Sequence, residues 1–138
     1  MLRTAFAFLL GAVVMVATVA GLQMLGHWVW PQSAIDAGDR AAFAAQMENV
    51  PLAAKLWLLV VYATAVEVGT IAAVLLQRPR WRGLAMALGL LMMALIALNF
   101  AMLPHPWWMV VIGLVLPLPV AMMAGWWLRP RPRPRGAA

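Results

Sequence analysis

The chain contains no cysteine among its 138 residues. Disulfide bonds, thiolate nucleophiles and iron–sulfur clusters are therefore excluded. Charged residues are also scarce, because they make up 10% of the chain against roughly 25% in ordinary soluble domains. A chain with so few charges and 66% hydrophobic residues cannot cover a water-facing surface. We therefore expect most of this protein to lie in lipid.

Sequence signatures of enzymes are absent as well. The chain has no glycine-rich phosphate-binding loop, no GxSxG nucleophile motif and no HExxH zinc motif. It contains four carboxylates and two histidines in total, so acid–base or metal chemistry would have few groups to use. These absences favour a protein that is not an enzyme, and the sequence predicts no specific cofactor.

Long hydrophobic segments are what the chain has instead. Four of them cover approximately residues 4–26, 52–76, 83–103 and 107–128, each close to the roughly 20 residues that cross a bilayer as a helix. The backbone of a segment in lipid must satisfy its own hydrogen bonds, which favours helices. No signal-peptide cleavage site follows the first segment. The sequence predicts an all-α, integral membrane four-helix bundle spanning residues 1–128.

Basic residues predict the orientation of this bundle. They lie at alternate ends of successive segments, and short basic flanks stay in the cytoplasm. The arginines on this side are Arg3, Arg78, Arg80, Arg82, Arg129, Arg131, Arg133 and Arg135. The other side receives Asp36, Asp39, Arg40, Glu48 and Lys55. We therefore predict a multi-pass protein of the bacterial inner (cytoplasmic) membrane with both termini cytoplasmic.

Three connections have distinct compositions. Residues 27–51 form an outer-face loop in which Asp39 is a suitable N-cap. The helical spacing of Ala42 or Phe43, Gln46 or Met47, and Val50 predicts a short amphipathic helix on the membrane surface. The "PHP" of residues 104–106 predicts an outer turn. The tail of residues 129–138 alternates arginine with proline, which favours contact with anionic lipid headgroups over nucleic acid.

Polar residues are expected to gather at the outer face, because the short connections bring the helix ends together. The members of this cluster are Gln23, His27, Glu48, Asn49, Asn99 and His105. Two histidines at one level could ligate a metal ion or haem. The alternative interpretation is that they cap carbonyl groups and face lipid headgroups, and the sequence favours it.

Glu67 is the one ionisable residue well inside a predicted membrane helix, with Thr64 and Thr70 one turn to either side. An intramembrane carboxyl group is a candidate proton or ligand site. The alternative is a structural role, in which Glu67 is protonated and donates a hydrogen bond to Thr64, to Thr70 or to a carbonyl group of the fourth helix.

Prolines and small residues predict how the helices pack. Pro117 and Pro119 should bend the fourth helix, because they leave the carbonyls of Gly113 and Val115 without donors. Small residues at four-residue spacing permit close contact between helices. They are Ala65, Gly69 and Ala73, then Ala85 and Gly89, then Ala121 and Gly125.

Three stretches carry a resemblance to known proteins: "MENVP" before the second segment, "NFAMLPHPWW" between the third and fourth, and "LPLP" within the fourth. In these stretches the chain resembles a group of small, functionally uncharacterised bacterial four-helix integral membrane proteins that have a PHPxW-type turn before the last helix. The resemblance implies the architecture and no activity.

The sequence as a whole favours a structural or accessory membrane protein that forms homo- or hetero-oligomers. Two alternatives stay open. One is a proton-coupled transporter of small molecules that uses Glu67, and the other is a metal-binding or haem-binding protein that uses His27 and His105 at the outer face.

Overall fold

The computed structural model describes residues 1–31 and 39–130, and these residues form helices joined by short connections. The helices are α1 (Leu2–Val29), α2 (Arg40–Asn49), α3 (Leu52–Leu76), α4 (Trp81–Met102), α5 (Trp107–Val115) and α6 (Pro117–Trp127), with a 3₁₀ turn at Arg78–Arg80. Four spans are long and apolar enough to cross a membrane, namely Leu2–Val29, Leu52–Leu76, Arg78–Met102 and Trp107–Trp127. The all-α fold and the four membrane-length spans predicted from the sequence are therefore confirmed.

Helix α3 lies at the centre of the bundle. It packs along α1 on one side and contacts α4 and α6 on the other, while α4 also packs against α6. At the closest approach of α1 to α3, a Cβ atom on Gly11 would lie 2.7 Å from the Gly69 carbonyl oxygen, and one on Gly69 would lie 2.6 Å from the Gly11 carbonyl oxygen. The two backbones touch because both positions lack a side chain.

Helices α4 and α6 meet through a second set of small residues. A Cβ atom on Gly89 would lie 3.1 Å from Leu118 Cδ1, and one on Gly125 would lie 3.0 Å from Ala85 Cβ. Lipid is as apolar as the side chains around these contacts, so close van der Waals packing is what holds such helices together. The predicted small-residue positions Gly89 and Gly125 thus lie in a helix contact.

The fourth span is interrupted near its middle. Leu116 separates α5 from α6 but keeps helical dihedral angles (φ −64°, ψ −40°), and its amide donates to the Ile112 carbonyl at 2.9 Å. Pro117 and Pro119 have no amide hydrogen to donate to Gly113 and Val115. The ladder of hydrogen bonds is therefore broken at these two positions, although Leu116 itself stays helical.

Two contacts bring five of the arginines together at one end of the bundle, whereas Arg40 lies in α2. Gln77 Nε2 donates to Thr4 Oγ1 at 3.5 Å, which joins the end of α3 to the start of α1. A Cβ atom on Gly125 would lie 3.1 Å from Trp81 Cε3, which joins the end of α6 to the start of α4. We call this the arginine end; it carries Arg3, Arg78, Arg80, Arg82 and Arg129. The tail residues 131–138 lie outside the described residues.

The opposite end, which we call the histidine end, carries α2 and the turn between α4 and α5. The Asp39 carboxylate caps α2 by accepting from the Ala42 amide at 2.9 Å, as the sequence predicts. Asp36 lies outside the described residues. Residues 103–106 are not helical, because Pro104 and Pro106 interrupt the helical pattern there.

Candidate functional site

A cavity of about 510 Å³ opens at the histidine end between α1, α3, α4 and α5. Its volume lies in the range of sites that hold drug-sized ligands, roughly 300–1,000 Å³. Aromatic, apolar and polar side chains share the lining. The residues that line it are Gln23, Gly26, His27, Trp30, Phe43, Gln46, Met47, Val50, Ala54, Lys55, Trp57, Leu58, Tyr62, Asn99, Leu103, His105 and Met109.

Helix α2 covers this cavity. Phe43, Gln46 and Met47 line it, and their spacing of three and one residues places them on one face of the helix. Val50, directly after α2, lines it as well. Ala45 and Glu48 on the other face are exposed. The apolar face that the sequence predicts for this amphipathic helix is thus turned toward the cavity.

The indole ring of Trp57, in α3, packs against the backbone of α1. Its indole Nε1 donates to the Leu22 carbonyl at 3.2 Å, and its ring lies 6.2 Å from that of Trp30, measured between centroids. A Cβ atom on Gly26 would lie 2.5 Å from Trp57 Nε1. Glycine at position 26 is therefore what lets the indole lie against the backbone of α1.

His105 enters the cavity from the turn between α4 and α5. Its Nδ1 lies 2.8 Å from the Leu103 carbonyl oxygen, and because a carbonyl only accepts, Nδ1 carries the hydrogen. In the neutral ring Nε2 is then an acceptor. The ring centroid lies 4.6 Å from that of Phe100 and 6.2 Å from that of Phe43. Burial lowers the pKa of His105, and the hydrogen bond to Leu103 opposes this in part.

Tyr62 and Lys55 are cavity residues that the sequence reasoning missed. Tyr62 is 5% exposed, lines the cavity, and among the described residues its hydroxyl has no hydrogen-bond partner. The charge pattern indicates only that Lys55 belongs to the outer side of the membrane. A signal was present, since Lys55, Leu58 and Tyr62 are spaced by three and four residues and so share one helix face.

The predicted outer-face cluster is divided between two cavities. Gln23, His27, Asn99 and His105 line the large one. Glu48 lines a second cavity of about 450 Å³, which also includes Lys55 and His105. Asn49 lines neither of these two cavities; its Nδ2 donates to the Ala45 carbonyl at 3.0 Å, which stabilises the end of α2.

Metal binding at this end would depend on few protein ligands. Within residues 1–31 and 39–130, no three or more His, Asp or Glu side chains come close enough to hold a metal ion together. His27 and His105 line the same cavity, so they are the two imidazoles that this site offers. A structural zinc site takes four protein ligands.

Glu67, Thr64 and Thr70 are not joined by hydrogen bonds in the described structure. Thr70 is 0% exposed and its Oγ1 has no hydrogen-bond partner, so the predicted bond between Glu67 and Thr70 is wrong. The reason is that helical side chains lean toward the N-terminus, which carries the Glu67 carboxyl group away from Thr70. Glu67 is half-buried and, among the described residues, has no hydrogen bond to Thr64 or to a fourth-helix carbonyl.

The position of Glu67 also separates it from the cavity. It does not line either cavity, and it lies about 7.5 Å beyond Tyr62 along α3 at 1.5 Å per residue. Val60, seven positions earlier on the same helix face, is 51% exposed. Glu67 thus lies on a partly exposed side of the bundle and not at the bottom of the cavity.

Comparisons of the chain with protein-family models, with curated proteins and with solved structures found no match. The resemblance to small bacterial four-helix membrane proteins therefore stays a prediction.

Proposed function

We propose that this protein is a non-catalytic accessory protein of the bacterial inner membrane that binds an amphiphilic small molecule in the cavity at the histidine end. The combination of an apolar, aromatic lining with a few polar groups is typical of ligand sites between helices. The site lies where the membrane-length spans end, so a molecule with an apolar body and a polar head would match both its surroundings and its lining.

The observation that carries this proposal is the mixed lining of the cavity that α2 covers. Trp57, Leu58 and Met109 line it together with Tyr62, whose side chain is 5% exposed. Trp57, Leu58 and Met109 would contact the apolar body of a bound molecule, and the polar side chains of the lining would contact its head.

The two alternatives from the sequence have less support. A proton-coupled transporter would need Glu67 on a path to the ligand, but Glu67 does not line the cavity. A metal or haem protein would have to use His27 and His105, and the described residues bring no cluster of three His, Asp or Glu side chains together.

Binding can be measured on protein reconstituted in phosphatidylcholine nanodiscs. Radiolabelled lauric acid and radiolabelled dodecanol share a chain length and differ in the headgroup. We expect at least one of them to bind saturably, with about one molecule per chain, after subtraction of nanodiscs without protein. Absence of saturable binding for both probes would overturn the proposal.

A matched pair of variants locates the binding. Ala54 lines the cavity, whereas Ala53 is exposed and does not. Ala54→Phe should fill the cavity and lower the bound fraction at least tenfold, while Ala53→Phe should bind as the wild type does. Equal binding by both variants would show that the probe binds elsewhere and would contradict the assignment of the cavity.

A further inference from the structure

We propose that the cavity selects amphiphiles with an anionic headgroup, a carboxylate or a phosphate, and that Lys55 holds this headgroup at the cavity mouth. This inference rests on the proposed function, because it names the ligand class for the same cavity. It concerns the charge of the headgroup, which the proposed function leaves open.

The charge of the lining is the first argument. Lys55 is the single lysine of the chain, and among the described residues it is the one with a permanent charge that lines the large cavity. No aspartate or glutamate of the described ranges lines it. The other polar side chains there are amides, imidazoles and the Tyr62 hydroxyl, none of which is negatively charged at neutral pH.

The second argument is that Lys55 has no ion-pair partner within the described chain. It is half-buried, yet within the described chain its ammonium group has neither a hydrogen bond nor an ion pair. Glu48 lines the second cavity together with Lys55, but it lies on the exposed face of α2 and does not pair with it. A half-buried cation without a counter-ion favours a ligand that brings one, since charge-assisted hydrogen bonds are stronger than neutral ones.

The placement of Lys55 is the third argument, because it sets the direction of the ligand. Lys55 is in the first turn of α3, where the span begins, and Tyr62 is two turns deeper on the same face, about 10.5 Å along the axis. Leu58 lies between them and also lines the cavity. A headgroup at Lys55 therefore places the apolar body against Leu58 and its far part beside Tyr62.

The test compares headgroups of opposite charge on the same chain. Protein in phosphatidylcholine nanodiscs is loaded with whichever labelled probe binds, and unlabelled dodecyl phosphate, dodecanol and dodecyltrimethylammonium compete for the site. We expect dodecyl phosphate to bind about tenfold to a hundredfold more tightly than the other two. Equal potency of all three competitors would overturn this inference and leave the proposed function standing, whereas absence of saturable probe binding would overturn both.

Charge-removing variants test the role of Lys55. Lys55→Gln should lower the affinity for dodecyl phosphate about tenfold or more and leave that for dodecanol within about twofold, so the variant is shown to fold by its dodecanol binding. Arg3→Gln removes an equal charge from an exposed residue at the arginine end and should bind as the wild type does. Unchanged preference for dodecyl phosphate in Lys55→Gln would contradict the role of Lys55.

A final comparison identifies the source of the anionic headgroup. Nanodiscs that contain phosphatidylglycerol present the same phosphate chemistry on a bilayer lipid. If a membrane lipid is the occupant, dodecyl phosphate should bind at least tenfold more weakly in these nanodiscs than in pure phosphatidylcholine, and Lys55→Gln should abolish this difference. If a free amphiphile is the occupant, its affinity should change less than about twofold. Either result supports an anionic ligand. If phosphatidylglycerol weakens the binding of dodecyl phosphate by the same factor in Lys55→Gln as in the wild type, the lipid does not bind at Lys55, and the inference for lipids is contradicted.

Discussion

His105 experiences two opposing influences at the histidine end. Burial near Phe100 and Phe43 disfavours the charged imidazolium, which lowers the pKa of His105 below its usual value of about 6.5. The hydrogen bond from Nδ1 to the Leu103 carbonyl, 2.8 Å long, favours the charged form and reduces this shift. Burial is the larger influence, so the folded protein holds a neutral imidazole at neutral pH.

We expect the stability of the folded protein to decrease on mild acidification because of this histidine. The unfolded chain binds the proton as the pH falls through about 6.5, whereas the folded protein binds it only at the lower pKa of His105. The stabilisation is therefore fully present above pH 6.5 and is lost as the pH falls through the folded-state pKa. Thermal unfolding in detergent, followed by circular dichroism, should show a falling midpoint over this interval.

Two histidine variants separate the contribution of His105 to this pH dependence from the contribution of the carboxylates. His105→Gln should flatten the pH dependence just below pH 6.5, because it removes the buried titrating ring. His27→Gln removes an exposed histidine from the same cavity and should retain the loss on acidification. The same pH dependence in His105→Gln as in the wild type would exclude His105 as its source.

At this scale, the sequence predicts which polar residues lie at one end of the bundle but not which of them face a common space. Positions near helix ends predict a group of polar residues, four of which line one cavity: Gln23, His27, Asn99 and His105. Asn49 was grouped on the same grounds, yet its amide binds the carbonyl of Ala45 within α2. The direction in which a helix end faces depends on the rotation of the helix, which tertiary packing sets and hydropathy does not encode.

At the scale of the helices, the contact between α1 and α3 brings two backbones close together. Gly11 and Gly69 lie against each other, and Met15, 0% exposed, follows Gly11 one turn later on the same face. A Cβ atom on Gly69 would also lie 2.8 Å from Met15 Cβ. A backbone carbonyl cannot move aside without shifting its whole helix, so the contact has little room for a methyl group.

We therefore expect Gly69→Ala to separate α1 from α3. The cost should be about 1–3 kcal/mol of unfolding free energy, the usual range for overpacking in a tight interior. Unfolding by increasing fractions of dodecyl sulfate in mixed micelles would measure it. Gly83→Ala is the matched control, because beyond its chain neighbours and the backbone of its own helix no atom lies within 4 Å of the added Cβ; its stability should stay within about 0.5 kcal/mol of the wild type. A similar loss in both variants would point to an intrinsic effect of alanine and contradict the packing argument.

The sequence predicts where the membrane-length helices lie, but it does not predict which helices pack against each other. The sequence predicts a span over 52–76, and α3 has the same bounds, because the length of an apolar segment is directly visible in a sequence. The four-residue spacing of small residues indicates that Gly69 permits close contact. The same pattern does not single out Gly11, because α1 contains several small residues and only one of its faces meets α3. The interruption at Leu116 follows from Pro117 and Pro119, whose missing amides are evident in any sequence.

At the scale of the whole molecule, the exposed surface is that of a protein surrounded by lipid. Large apolar side chains are exposed along α1, including Leu9 at 59%, Val13 at 65% and Val16 at 55%. In water a continuous surface of this kind would promote aggregation. In a bilayer this surface contacts acyl chains, so its exposure needs no protein partner. Apart from Glu67, the charged residues that the structure describes lie near the two ends of the bundle.

The two ends differ in charge, and this difference predicts the orientation of the molecule. The arginine end carries Arg3, Arg78, Arg80, Arg82 and Arg129, two of which stack on tryptophan, Arg82 over Trp81 at 5.2 Å and Arg129 over Trp126 at 4.5 Å. Lysine and arginine in short flanks are retained in the cytoplasm during insertion. The tryptophans beside them are suited to the headgroup level, where an amphipathic ring is stable.

We accordingly predict that the arginine end is cytoplasmic and that the cavity opens on the periplasmic side. Green fluorescent protein fused after Ala138 should fluoresce, because it folds in the cytoplasm, and alkaline phosphatase at the same site should be inactive. Alkaline phosphatase fused after Pro31, beyond α1, should be active. The reverse pattern would place the cavity in contact with the cytoplasm, and the amphiphile would then have to reach Lys55 from the inner leaflet. Replacing Arg78, Arg80 and Arg82 together by glutamine should weaken the bias and yield a mixture of both orientations, whereas an unchanged pattern would show that the remaining arginines are sufficient to set it.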